Sequence, residues 1–203
     1  MLIVGLTGNF GMGKSTVAGM FKELGAFTLD ADEIVKGLLC EPSVIQEIKK
    51  AFGDDIADDG LVDKKLLSQI VFDYPHLRIS LEDILHPRVF KKIDFEIYRI
   101  KASGKLNIII IEAPVIFERG YQNKFDIIIT VFAPEDIAIA RLKNKGISEE
   151  EARKRLGSQF PIEMKVGKSD YSIDNGRTIE HTRQQVNDIY QRLLRMEKKH
   201  RNN

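Results

Sequence analysis

Cysteine is nearly missing from this chain, and tryptophan is missing altogether. The single Cys40 has no partner for an internal disulfide and cannot build a thiolate zinc site alone, so it reads as an inert residue on a helix. No apolar run approaches the roughly 18 residues of a membrane helix. Nor does a charged segment with a cleavable apolar stretch precede the first glycine-rich turn, which points to a cytoplasmic protein. An excess of one charge is missing too: 31 Lys and Arg stand against 30 Asp and Glu, a formal net charge of +1. The balance advertises neither nucleic acid nor an anionic membrane, so any anion site must be local. There is no low-complexity tract, and 43% hydrophobic with 30% charged residues are globular proportions. A length of 203 residues suits one domain with an embellishment.

What is present starts with Gly8-Asn9-Phe10-Gly11-Met12-Gly13-Lys14-Ser15, which fits the phosphate-cradling pattern G-x-x-x-x-G-K-[ST]. Leu2-Ile3-Val4-Gly5-Leu6 before it reads as a buried strand, and Thr16 to Leu24 after it spaces its apolar residues as a helix does. The glycines open backbone conformations in which successive N–H groups converge on an anion, and the helix start adds its positive dipole end. Lys14 can reach the β- and γ-phosphates, and the Ser15 hydroxyl can ligate Mg²⁺. Asn9, Phe10, Gly11, Met12, Gly13, Lys14, Ser15 and Thr16 are therefore the expected nucleotide-binding residues.

Beyond the first helix, Ala26-Phe27-Thr28-Leu29 reads as a strand running into Asp30-Ala31-Asp32, with a helical pattern from Glu33. Strand C-termini of an α/β sheet face the ligand crevice, which places Asp30 and Asp32 on the rim of the phosphate loop. The plainer role for Asp32 is an N-cap, worth about 1 kcal/mol. From Ser43 to about Ser103 the chain turns charged and amphipathic. Ser43 to Gln46 has a capping-box pattern, Asp58-Asp59-Gly60 reads as a turn, and Asp63 caps a helix through Phe72. A pattern from Pro75 is interrupted at His86-Pro87, where a kink or break is expected. The block is too long for a simple crossover and reads as a helical insertion.

Leu106 to Ile111 and Asp126 to Phe132 are strands apolar enough to be buried on both faces, the first ending in Glu112-Ala113-Pro114. A helix from Pro134 carries Arg141, Lys143 and Lys145, and another capped by Ser148 reaches Gln159. Eight Lys or Arg residues lie from Arg141 to Lys168, most of them expected on a solvated face. Tyr171-Ser172-Ile173 is a last short strand and Asn175-Gly176 a turn that could hold an adenine ring through main-chain groups. Thr178 to about Lys199 is a closing helix, and Lys198-Lys199-His200-Arg201 a frayed tail. Strands alternating with helices imply a parallel sheet covered on both faces.

A phosphate loop marks many nucleotide-binding classes. Asn144-Lys145-Gly146-Ile147 lacks the aspartate of the guanine-reading N-K-x-D, which argues against a GTPase switch. A small phosphotransferase needs an acceptor pocket, a carboxylate by the acceptor hydroxyl and a basic lid, because its transition state spreads negative charge. Candidates for each are present. A nucleoside or nucleoside-monophosphate kinase and a non-catalytic nucleotide-binding regulator are the alternatives.

A more specific likeness is carried by Gly5-Leu6-Thr7-Gly8 through Ala18, Leu29-Asp30-Ala31-Asp32, Asp59-Gly60-Leu61-Val62-Asp63, His86-Pro87, Pro114-Val115-Ile116-Phe117-Glu118, Arg155 with Gln159, and Asp170 with Ile173-Asp174-Asn175. In order and spacing, nearly the whole chain resembles the dephospho-coenzyme A kinases. The resemblance implies an α/β P-loop kinase with a five-stranded parallel sheet, a helical substrate-binding insertion at about 34–103 and a lid at about 142–165. It implies transfer of the ATP γ-phosphoryl group, with Mg²⁺, to the ribose 3′-hydroxyl of dephospho-coenzyme A; separately, the sequence leaves a monomer or small homo-oligomer equally open. Asp32 then looks like the base, Arg141 the lid cation and Arg155 a second one. Thr7 would lie beside the acceptor, Lys64, His86, Pro87 and Arg88 would line the coenzyme pocket, and Asn175 would sit by the nucleotide. Departures are Glu112 where the family usually has aspartate, Lys64 and Lys145 where arginine is common, and Asp136-Ile137 where a glutamine is usual.

Overall fold

The computed structural model describes residues 1–104 and 107–202. In chain order the elements are β1 (Leu2–Thr7), α1 (Lys14–Glu23), β2 (Phe27–Asp30), α2 (Ala31–Leu38), α3 (Pro42–Phe52), β3 (Ala57–Asp58), β4 (Leu61–Val62), α4 (Lys64–Asp73) and α5 (Pro75–Ser103). There follow β5 (Ile108–Glu112), β6 (Ile127–Phe132), α6 (Glu135–Lys143), α7 (Glu149–Gly157), α8 (Ile162–Lys168), β7 (Tyr171–Asp174) and α9 (Ile179–Asn202). The chain divides into two compact units, Met1–Asp30 with Ile100–Asn203, and Ala31–Arg99.

The first unit is built on a five-stranded sheet in the order β2-β5-β1-β6-β7, parallel throughout. Its central strands bury both faces, as their isoleucine runs require: Ile108, Ile109, Ile110 and Ile111 are all buried. Each such side chain contributes roughly 1.5–3 kcal/mol relative to exposure. Val17, Met20 and Phe21 of α1 and Val186, Ile189 and Leu193 of α9 join Leu2, Val4, Leu6, Ile110 and Ile129 in one core cluster. Leu106, expected to open the β5 run, lies outside the described residues.

In the second unit, Asp63 accepts the N–H groups of Lys65 and Leu66 at 2.9 and 3.0 Å, the cap its position before α4 predicts. The turn between β3 and β4 has Asp59 and Gly60 at φ 44° and 75°, the pair of positive φ values that a two-residue hairpin demands. Four expectations are corrected. Pro42, not Ser43, opens α3: proline at the first helical position has no N–H to leave unpaired, and Ser43 is not the cap. Asp32 lies inside the first turn of α2, which starts at Ala31, so it is not an N-cap. Cys40 is exposed in the turn after α2 rather than on a helix. And α5 continues through His86-Pro87 without a break. Arg88 donates from Nη1 to the Ile84 carbonyl at 2.5 Å, beside the bond that Pro87 cannot make.

In the first unit, α7 stops at Gly157, short of Gln159, and α8 follows where sequence periodicity gave no helix. The closing helix runs through Asn202 and absorbs the stretch expected to fray.

Candidate active site

Sheet register sets the rim on which the phosphate loop stands. Leu6 is opposite Glu112 and Glu112 opposite Asp30, while Thr7 is opposite Thr130. The loop leaves β1 here and enters α1 with Gly13 as N-cap, at φ 88° and without a side-chain cap. An uncapped first turn aims its N–H groups outward, where an anion can accept them. Two glycines are dictated by space. A Cβ on Gly8 would lie 2.2 Å from the Val131 carbonyl oxygen, and one on Gly13 would lie 2.2 Å from Asn175 Nδ2. Gly13→Ala combines that clash with a left-handed backbone. It is expected to lose about 2 kcal/mol or more of stability in a denaturant melt; a loss under about 0.5 kcal/mol would mean that the loop re-forms around a side chain.

Asn175, after β7, holds the loop from behind. It is 4% exposed, donates from Nδ2 to Met12 O at 2.9 Å and accepts from Thr182 Oγ1 at 3.0 Å. Its main-chain N–H goes to Phe132 O at 2.8 Å, and its carbonyl accepts from Arg141 Nη2 at 2.8 Å. The Asn175-Gly176 turn is closed by Gly176 N–H donating to Asp174 Oδ1 at 2.8 Å. Arg141, near the end of α6, thus has one guanidinium nitrogen fixed. Its second terminal nitrogen, Nη1, is buried with no hydrogen-bond partner among the described residues and lies 3.7 Å from where a Gly13 Cβ would stand. A spare cationic donor beside the loop is what an incoming phosphate can pair with.

Lys14 opens α1 and is largely buried. Ser15, the expected Mg²⁺ ligand, donates from Oγ at 2.8 Å to Oε1 of Glu112, the carboxylate that ends β5. Thr16 is exposed in the same turn. Thr7 is wholly buried, its hydroxyl donating to Pro114 O at 3.3 Å. Phe10 N–H donates to Gln159 Oε1 at 2.8 Å, and the Phe10 ring lies under the Arg155 guanidinium, 4.9 Å from its centroid. Gly11 packs against α6, where an added Cβ would sit 2.7 Å from Ala138 O. In α7, Arg153 and then Lys143 hold the exposed Glu149 carboxyl below its usual value.

The remaining expected residues belong to the second unit. Asp32 is exposed in the first turn of α2, and Lys64 is exposed at the start of α4. His86, Pro87 and Arg88 lie along α5, with Arg88 Nη2 paired to Glu47 Oε1 at 2.5 Å.

Sequence reading passed over Lys165. Seven of the eight cations from Arg141 to Lys168 keep some exposure, but Lys165 keeps none. Its Nζ pairs with Glu118 Oε1 at 2.6 Å and donates to Pro114 O at 2.8 Å. Burial pushes this ammonium below its usual value, and Glu118 pulls it part of the way back. No periodic signal marks α8, a helix of 7 residues, so a charged residue there read as surface.

A parallel sheet, a glycine-rich loop opening onto a helix and a free guanidinium donor beside that loop define a P-loop phosphotransferase. The family model described as dephospho-CoA kinase matches residues 2–181. A dephospho-CoA kinase of Aquifex aeolicus is 40% identical over 194 residues, covering 95% of this chain and 97% of the relative. Among solved structures, TT1252 from Thermus thermophilus superposes with a TM-score of 0.83 at 26% identity, covering 93% of this chain and 95% of that one. The dephospho-CoA kinase from Campylobacter jejuni superposes at 0.67 with 28% identity and the same coverage. The chain belongs to the dephospho-CoA kinase family. Its activity is that of a kinase on dephospho-coenzyme A, with ATP as donor. No helix among the described residues is long and apolar enough to cross a membrane.

Proposed function

We propose that Gly8–Ser15 grips the ATP triphosphate and that Asp32 accepts the proton of the acceptor's ribose 3′-hydroxyl. As that proton leaves, the hydroxyl oxygen bonds to the γ-phosphorus, and the bond from the γ-phosphorus to the β–γ bridging oxygen breaks, releasing ADP. Asp32 needs no raised pKa for this, because proton loss can lag behind bond cleavage in a loose transition state. The observation that carries the assignment is the unpaired Nη1 of Arg141 beside Gly13, a cation placed to follow charge moving off the loop. Arg155, stacked on Phe10, is the second cation of a lid spanning about 142–165. The helical insertion at about 34–103 takes the acceptor, with Lys64, His86, Pro87 and Arg88 as its pocket residues, and Thr7, at the end of β1, serves the acceptor as well.

Ser15 and Glu112 would hold Mg²⁺, two hard oxygens 2.8 Å apart at the loop's exit. That cation supplies charge neutralisation across the β- and γ-phosphates when bound. Glutamate serves here as aspartate would, its carboxylate already reaching the serine hydroxyl. No cluster of three or more His, Cys, Asp or Glu ligands exists among the described residues, which suits an ion carried mainly by phosphate oxygens and water. The enzyme works in the cytoplasm, as a monomer or small homo-oligomer.

An ADP-release assay against dephospho-coenzyme A, AMP, UMP and pantetheine phosphate tests the acceptor. Turnover is expected only with dephospho-coenzyme A, and it should vanish on chelation of Mg²⁺ and return on its addition. Faster turnover with either nucleoside monophosphate would overturn the assignment.

A further inference from the structure

The buried Lys165–Glu118 pair is not explained by stability. Replacing such a pair by apolar residues of similar volume is often neutral or stabilising, because the desolvation of both ions is then avoided. This pair is also imperfectly satisfied: Glu118 Oε2 is buried with no partner among the described residues. A half-satisfied polar network in a core is unfavourable compared with an apolar one.

What the pair does becomes visible by following its hydrogen bonds outward. Glu118 Oε1 also accepts from Phe160 N–H at 3.1 Å, and the Phe160 carbonyl accepts from Asn9 Nδ2 at 3.0 Å. In the other direction, Pro114 O accepts both from Lys165 Nζ at 2.8 Å and from Thr7 Oγ1 at 3.3 Å. Thr7 and Asn9 flank Gly8, so the path closes on itself across the start of the phosphate loop. Gln159, the neighbour of Phe160, extends the ring by accepting from Phe10 N–H at 2.8 Å. Segment Pro114–Glu118 in turn continues from Glu112, the carboxylate bound to Ser15. One buried ammonium therefore joins the lid's trailing end to both sides of the loop.

We propose that Lys165 is a positioning residue for phosphoryl transfer: through Glu118 and Pro114 it fixes the Thr7–Phe10 side of the phosphate loop, without touching nucleotide. A loop free to wander by about 1 Å can lose as much as a hundredfold in rate. The inference rests on the reading that Gly8–Ser15 holds the triphosphate.

The test is the double change Lys165→Met with Glu118→Leu in the full chain, followed by thermal melting and steady-state kinetics. The expected result is a Tm at or above the parent's, a kcat about ten- to a hundredfold lower, and a KM for dephospho-coenzyme A within about twofold. A folded double variant with the parent's kcat overturns the proposal. Should the double variant melt early, Gln159→Ala decides: that side chain is half-exposed and its loss removes only the last link. Lowered kcat with unchanged Tm in Gln159→Ala supports positioning, and unchanged kcat overturns it. Lys14→Ala separates the two levels of the argument. If it keeps parental turnover, the reading of the loop falls and the positioning role with it; if it is inactive while the double variant is normal, the positioning role alone falls.

Discussion

Asp32→Asn is expected to lower kcat by about two to four orders of magnitude, the usual contribution of a positioned general base. The change is isosteric and removes only the charge and the ability to take a proton. Asp32 is exposed in the first turn of α2, where it is not the cap that holds the helix start. Loss of its charge there is expected to cost about 0.3–1 kcal/mol through the helix dipole, too little to unfold the protein. The KM for ATP should stay within about threefold, because the change keeps the side chain's size and leaves the loop's own glycines and Lys14 in place. Retention of kcat to within tenfold of the parent would remove Asp32 from the chemistry.

Arg141→Ala is expected to lower kcat by about three orders of magnitude, by analogy of role with cations that follow a phosphoryl group in transfer. The change removes both the donor to Asn175 O and the free Nη1 beside Gly13. Arg141→Lys separates these roles. An ammonium can take up one of them, but it lacks the planar fork that serves both at fixed geometry, so only part of the rate should return. Circular dichroism and single-turnover measurements with dephospho-coenzyme A check the pair. Full activity in Arg141→Lys would show that a point charge suffices, and a loss of less than tenfold in Arg141→Ala would discharge the residue from its role.

Where the sequence was legible, a single local rule decided. The isoleucine runs of β5 and β6 bury whichever way they face, and the spacing of glycines with Lys14-Ser15 permits few backbone paths. Asp63 and Ser148 cap helices by chemistry confined to a few residues, and both do so. Reading failed where partners far apart in the chain overrode the local pattern. Lys165 is a surface residue by every local criterion, yet Glu118, 47 positions earlier, supplies the charge that lets it be buried. Asn175-Gly176 is a turn by composition, but the Asn175 side chain is drawn under Met12, 163 positions away. At His86-Pro87 the rule that proline interrupts a helix was outweighed, and α5 runs on as one element. Around the site, the glycine-rich loop entering a helix at Lys14 was readable from residue spacing alone. The ring through Glu118, Phe160 and Gln159 was not, because main-chain acceptors leave no trace in residue type.

The sheet order has a consequence for how the protein is made. Strand β1 is central, and its neighbours begin pairing at Leu2 with Ile108 and at Val4 with Ile127. At about 5–20 residues per second, a ribosome needs on the order of 5–20 seconds to deliver the first of those partners. For that interval the nascent Leu2–Thr7 segment is an unpaired apolar strand, while Ala31–Arg99 can already condense behind it through short-range helical contacts. A stretch that ends almost wholly buried is thus one in need of a chaperone during synthesis.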